Sequence, residues 1–348
     1  MELKDLIISM CSTMTVSGYE YRSFETLKQL VGERFDEIST DRVGNVRLYR
    51  RCEKESPALI LIDTHFDEIG MIVTKIYEGG FLSVAAIGGL DLSVLQASDV
   101  VIYGKEAVKG VISSTPPHLK SPDSQNKLAE IDELLIDTGY SKQELEEIVQ
   151  IGTPVGFAPI YTELLEENIC GKSLDNKACA ACAIYALSNI PRDQLAADVC
   201  LLLSTREETM SSGGVAVGGY ELSPDYAMVI DVNLAKVPEA PRYETVDYKG
   251  GISIAISAVT DRKLTKMTED LCKEKNIKFS RVAAPSNTGT NTPALNLTGR
   301  GVPVTDIGLP LKAMHTENEI ISLSDANQLA SLVREFVCSE KIKEAFAL

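Results

Sequence analysis

Apolar positions recur every three or four residues over 2–10 and 20–33, the spacing of one helical face, and give way to short strand-like runs at 36–39 and 45–50. Residues 58–62 form an unbroken apolar run, the pattern of a strand buried on both faces of a sheet. From Gly70 to about Gly156 the character changes. Short β runs at 71–75, 81–85, 100–103 and 108–113 are broken by glycines and by Pro116-Pro117, and polar helical pieces follow near 125–136 and 141–150. From about 169 helix and strand alternate: helix 175–190, strand 197–204, a small-residue helix near 212–220, strands 226–231 and 251–256. Helix 262–275, strand 277–282, a helix near 290–298, strand 302–307 and a closing helix 323–337 complete the series. Such alternation predicts an α/β fold, a mixed, mainly parallel central sheet flanked by helices, with a β-rich module inserted into it. The expected organisation is one domain over 1–69 and 157–348, interrupted by a second over 70–156.

Composition narrows the function classes. At 348 residues the chain is long enough for two domains. With 44% hydrophobic and 24% charged residues it reads as globular, and no apolar run approaches the ~20 residues of a membrane helix. Fifty acidic against 34 basic residues leave a formal charge of −16, which repels phosphate backbones, so neither nucleic acid nor membrane is an expected partner. The N-terminal segment carries acids and reads as a helix, not a signal peptide. Eight scattered cysteines read as buried thiols in a reducing compartment, so the expected location is cytoplasmic.

In open α/β sheets ligands bind beyond the carboxyl ends of strands. Past the strand ending at Ile62 come His65 and Asp67; past Ser204 come Glu207 and Glu208; the strand from Tyr226 runs into Asp231; and past Ile307 comes His315. Asp175 opens an Ala- and Cys-rich helix. Singly, each has an ordinary reading: Asp175 as a helix N-cap, either histidine as structural, Glu207-Glu208 as a solvated pair. Yet the chain has three histidines, and two fall just beyond strand ends beside acids. His with Asp and Glu suits Zn, Co or Mn. Two histidines and three carboxylates exceed what one tetrahedral ion with an open position takes, and suit two divalent ions sharing a carboxylate about 3.5–4 Å apart.

Other motifs carry less. Gly171-Lys172-Ser173 resembles the tail of a phosphate loop, but Glu166 stands where that loop needs glycine. The glycine-rich stretch 211–219 lacks dinucleotide spacing and reads as close helix packing. Cys179 and Cys182 have redox spacing inside a helix with no second pair, and read as inert. His118 reads as a loop residue of the inserted module, outside the metal set.

The ordered set Thr15–Glu20, Asp41–Asn45, His65-Phe-Asp67-Glu-Ile-Gly70, 110–118, Leu174-Asp175-Asn176-Lys177, Arg206-Glu207-Glu208, 231–235, Gly289-Thr290 and His315-Thr-Glu-Asn-Glu319 resembles the dinuclear metalloaminopeptidases of clan MH, variously called TET, deblocking or glutamyl aminopeptidases and sometimes cellulase M or endoglucanase. The likeness covers nearly the whole chain. It implies His65, Asp175 and Asp231 as ligands of one metal, Asp175, Glu208 and His315 as ligands of the other, Glu207 as general base and Asp67 as the acid that supports His65. It further implies a β-barrel-like dimerisation domain, dimers assembling to a homo-oligomer (commonly a dodecamer), and peptides with a free N-terminus as substrates. Lys177, Arg206 and Asn291 depart from the residues common in the family at those positions; none is an implied ligand.

The expected activity is therefore exo-aminopeptidase hydrolysis with two divalent ions, Zn first and Co or Mn as alternatives, activating a water. A metal-dependent deacylase or carboxypeptidase is the alternative within the same chemistry. Glycoside hydrolysis is less favoured: it needs two carboxylates flanking a sugar and usually aromatic platforms, and the chain has no Trp and 6% aromatic residues.

Overall fold

The computed structural model describes residues 1–54, 58–113, 129–210, 213–238 and 245–346. His118 lies outside them, as do Ser211 and Ser212. The chain opens with α1 (Leu3–Cys11) and α2 (Phe24–Val31), followed by β1 (Glu37–Thr40), β2 (Val46–Arg50) and β3 (Leu59–His65). In α1, Leu3, Leu6, Ile7, Met10 and Cys11 are buried, positions 3, 6, 7, 10 and 11 that share one helical face.

Six strands then form a separate body: β4 (Gly70–Ile76), β5 (Phe81–Ile87), β6 (Asp99–Tyr103), β7 (Ala107–Ser113), β8 (Leu135–Asp137) and β9 (Pro154–Phe157), with α3 (Lys142–Ile148) before the last. They close as an antiparallel barrel in the order β4-β5-β8-β7-β6-β9. In β7 burial alternates residue by residue, with Val108, Gly110 and Ile112 inward. A Cβ on Gly110 would lie 2.5 Å from Ile136, so this position requires glycine. The helix expected over 125–136 has its first four residues outside the described ones and is corrected over the rest: residues 131–133 form a single 3-10 turn and Leu135–Asp137 a strand pairing with β5 and β7. Barrel closure overrides the local helical pattern there, burying Leu134 and Ile136.

The chain then returns through β10 (Tyr161–Leu164), β11 (Asn168–Gly171), α4 (Leu174–Ser188), β12 (Asp198–Ser204), α5 (Gly213–Leu222), β13 (Tyr226–Leu234) and β14 (Ile252–Ser257). It ends with α6 (Arg262–Glu274), β15 (Phe279–Ala284), α7 (Thr292–Asn296), β16 (Val304–Lys312), β17 (Glu319–Ser322), α8 (Leu323–Val337) and α9 (Glu340–Phe346). The sheet runs β1-β2-β12-β3-β13-β16-β17-β11-β10, with β14 and β15 attached beside β16. Its centre, β12-β3-β13-β16, is parallel; the flanking strands pair antiparallel, so the α/β sheet is mixed.

The two faces are covered differently. Ile60, Ile62, Leu201, Leu203, Met228 and Ile230 pack towards α1, α4 and α8, while Leu61, Leu202, Ala227 and Val229 pack with Val215 of α5 and Leu295 of α7. Almost every side chain of α4 is buried, and its alanines and cysteines let it sit close between sheet and helices. Burial pushes the Cys179 and Cys182 thiols well above their usual range, so both stay protonated. The glycines of α5 serve contact, not a cofactor: a Cβ on Gly214 would lie 1.9 Å from Asn45 Oδ1, and one on Gly218 2.6 Å from Leu202. No helix among the described residues is long and apolar enough to cross a membrane.

Candidate metal centre

The carboxyl ends of the central strands deliver the predicted residues to one place. His65 is the last residue of β3, Glu207 and Glu208 follow β12, Asp231 lies in the second half of β13, and Asp175 opens α4. β16 runs on to Lys312, past the expected end at 307, because its parallel register with β13 continues through Leu311. His315 therefore stands in the turn between β16 and β17.

Asp175 is the common member. Its Oδ1 lies 3.1 Å from His65 Nε2 and its Oδ2 3.5 Å from His315 Nε2. Asp231 Oδ1 is 3.5 Å from His65 Nε2, and Glu208 Oε2 is 3.4 Å from His315 Nε2. His65, Asp175 and Asp231 thus form one group of candidate ligands and Asp175, Glu208 and His315 another, with ligand atoms within 4.8 Å of one another in each. Glu207 belongs to neither group, yet lines the same cavity of about 360 Å³ with Gly89, Val232, Gly289 and Met314.

The charges explain the proton affinities. Asp175 sits between two imidazoles, which overcome its burial and hold its carboxyl well below the usual range. Burial pushes Asp231 up to about 6 and Glu208 well above a normal carboxylate, the repulsion of Asp175 adding to both. Glu207 is pushed up to about 8, by burial first and then by Asp231, Asp175 and Asp67. His315 is pushed up to about 9, chiefly by its bond to Asp175. These carboxylates are too close together for two imidazoles to neutralise. His and carboxylate donors in two groups sharing one aspartate fit two divalent cations of the Zn, Co or Mn type.

Asp67 departs from the expected contact. His65 Nδ1 faces the main-chain oxygen of Asp67 at 3.2 Å, whereas Asp67 Oδ1 is 3.6 Å away. The Asp67 carboxylate instead accepts the backbone N–H groups of Glu207 and Glu208, at 3.0 and 3.1 Å. It holds the loop that carries Glu207 and Glu208.

Sequence reasoning passed over three buried acids. Glu68 accepts from Lys172, Ser173 and Lys177 through Oε2 and from the Thr15 N–H through Oε1. Glu20 accepts from the Arg206 N–H at 3.1 Å. Glu319 accepts from the Asp175 N–H at 3.0 Å and the His315 N–H at 2.9 Å. Their signal in sequence is faint, since each is one acid among fifty. Backbone conformation is more telling: Ser173, Arg206, Ala313 and His315 all take positive φ, and all lie within two residues of a site residue. Two of the departures noted in sequence also have partners here. Lys177 reaches Glu68 and the Thr13 oxygen, and Asn291 donates to both Asp63 and Ser204.

A family model for M42 glutamyl aminopeptidases matches residues 44–332, most of the chain and all the residues above from His65 to Glu319. The chain belongs to the M42 family. Similar proteins agree. The lysyl aminopeptidase of Pyrococcus furiosus is 26% identical, the match covering 95% of each chain. Aminopeptidase APDkam598 of the archaeon Desulfurococcus kamchatkensis has a TM-score of 0.90 at 26% identity, covering 99% of this chain and 98% of that one. The TET1 peptidase of Pyrococcus horikoshii, described as able to assemble into a tetrahedron or a large octahedral shell, has a TM-score of 0.84 at 25% identity, covering 97% and 99%. As an M42 chain, this protein is a peptide-bond hydrolase of an aminopeptidase family.

The Glu68 cluster yields a stability prediction. Burial pushes the Glu68 carboxyl up, but the adjacent Lys172 and Lys177 outweigh it and bring the group to about 2, against 4.5 when free. A folded value below the unfolded one adds stability that is full above about pH 4.5 and fades as pH falls towards 2. Glu68→Gln, which strands two buried ammonium groups, should cost about 3–5 kcal/mol in urea unfolding at pH 7, with the gap from wild type closing as the buffer is acidified. A pH-independent gap would refute the charge argument.

Proposed function

We propose that this M42 chain is a metal-dependent exo-aminopeptidase that removes the N-terminal residue of peptides. The observation that carries the reading is Asp175, one carboxylate facing two imidazoles, with Glu207 beside it in the same cavity but in neither ligand group. His65, Asp175 and Asp231 would hold one cation, and Asp175, Glu208 and His315 the other. When bound, two divalent ions lower the pKa of a water between them towards ~7 and polarise the scissile carbonyl.

The remaining work falls to side chains of this protein. Glu207 takes a proton from the attacking water and returns it to the departing amine, which requires a carboxylate in reach of the water but free of coordination. Asp67 keeps Glu207 and Glu208 aimed inward through their backbone N–H groups. The aminopeptidase family to which the chain belongs, and its aminopeptidase relatives, favour a free N-terminus as substrate over the alternatives of a deacylase or carboxypeptidase. Glycoside hydrolysis is left without support: among the described residues the cavity walls carry no Phe, Tyr or Trp, and the two ligand groups take three of its four acids.

We also infer that the barrel, strands β4 to β9, is a self-association domain inserted at 70–156 in the catalytic domain of 1–69 and 157–348. Its closed sheet shares no strand with the main one, and the TET1 relative assembles into shells.

Glu207→Gln should lower kcat by roughly 10²–10⁴-fold, the usual worth of a general base, while metal content measured by mass spectrometry stays at two ions per chain. Near-normal turnover would remove Glu207 from that role, and full turnover in chelator-stripped protein would remove the metals. On a panel of paired peptides, free N-termini should be cleaved and acetylated ones left intact; release from the C-terminus would favour the carboxypeptidase. Light scattering of the same preparation should give a mass several times that of one 37.8 kDa chain, and a monomer would remove the assembly.

A further inference from the structure

The two groups of ligands are not held equally firmly. His65 ends a strand paired on both sides, with β12 and with β13, and is almost wholly buried. Asp231 lies within β13 and accepts the N–H of Val232 at 2.8 Å. Asp175 is anchored on both flanks: Lys172 and Lys177 are tied to Glu68, and the Asn176 amide donates to the Ile230 oxygen at 2.8 Å. The first group is built into the sheet and the base of α4.

His315 is placed otherwise. It stands in the turn between β16 and β17 with its side chain about one-third exposed, and both it and Ala313 have positive φ, 63° and 55°. Its backbone N–H is held by Glu319 Oε1 at 2.9 Å, and the other oxygen of the same carboxylate holds the Asp175 N–H at 3.0 Å. The reach follows from register. Glu319 begins β17 directly opposite Gly171 at the end of β11, four residues before Asp175 and four after His315. Both oxygens of one buried carboxylate thus accept the backbone N–H groups of His315 and Asp175, one each.

We propose that Glu319 is a positioning residue that determines whether the second cation position, Asp175 with Glu208 and His315, is held, while the first, His65 with Asp175 and Asp231, stands without it. The inference rests on the two-cation reading above. Removing Glu319 frees His315, which nothing comparable replaces, whereas Asp175 keeps its anchors through Glu68 and Asn176. Gln at this position keeps the volume but presents one acceptor and one NH₂ group to two N–H donors, so one of the two must lose its partner.

The test is a Co²⁺ titration of the chelator-stripped full chain, followed by visible absorption and by calorimetry, alongside circular dichroism as a check on folding. Wild type should take up two Co²⁺. Glu319→Gln should bind the first within threefold of wild type and the second roughly 10–100-fold more weakly, the usual effect of losing a partner of a ligand. Glu319→Asp, which keeps the charge but shortens the arm, should fall between them. The proposal is overturned if the second Co²⁺ binds Glu319→Gln as tightly as wild type, or if both bind equally more weakly. Wild type that takes up fewer than two Co²⁺ would instead overturn the two-cation reading.

Discussion

Carboxylates crowded at one sheet edge are the constraint around which this molecule is arranged. Asp175 has an oxygen within 4.8 Å of its neighbours in both ligand groups. Two unit charges at that separation repel by roughly 3–4 kcal/mol at an effective dielectric constant near 20. A hydrogen bond to a charged group returns about 1.5–3 kcal/mol, so one bond does not suffice. The chain uses paired donors. Asp67 accepts two backbone N–H groups, Glu319 accepts two, and Glu68 takes two ammonium groups and an N–H. Each of these acids binds the backbone or the flanks of a candidate ligand and leaves that residue's own donor atoms free of it.

The segment from His65 to Glu68 shows the economy of this arrangement. Four consecutive residues at the end of β3 supply a candidate ligand, a buried phenyl ring, a clamp on the 207–208 loop and a clamp on the 172–177 turn. Loops that begin more than a hundred residues further along the chain are thus referenced to one strand end. The sheet fixes where that end lies, since β3 is bonded to β12 on one side and β13 on the other.

Legibility in the sequence followed the physics of each feature. The run 58–62 was readable because a strand buried on both faces has no polar residue to interrupt it. Strand-end histidines and acids were readable because ligands gather there. The span 125–136 misled because its polar, helix-like spacing is local, whereas pairing of Leu135–Asp137 with β5 and β7 depends on residues far away in sequence. β16 was read as too short because Gly308 and Pro310 look like breakers, yet its partner β13 continues beside it. Asp67 and Glu319 act on backbone N–H groups, which have no identity in a sequence. An acid's spacing cannot reveal which amide it will meet.

The barrel's place in the chain bears on the site as well. It leaves the sheet just after Glu68, and Glu68 forms a buried ion pair with Lys172, which follows the two main-sheet strands β10 and β11 that come after the barrel. The neck is tight: a Cβ on Gly70 would lie 2.7 Å from the Val155 oxygen and 3.0 Å from Val16. Val16 is itself bridged to Glu68. Gly70, with no room for a Cβ, and the charged clamp of Glu68 beside it place the first barrel strand, which packs around its own core, against the turn that carries Asp175, the aspartate both candidate ligand groups share.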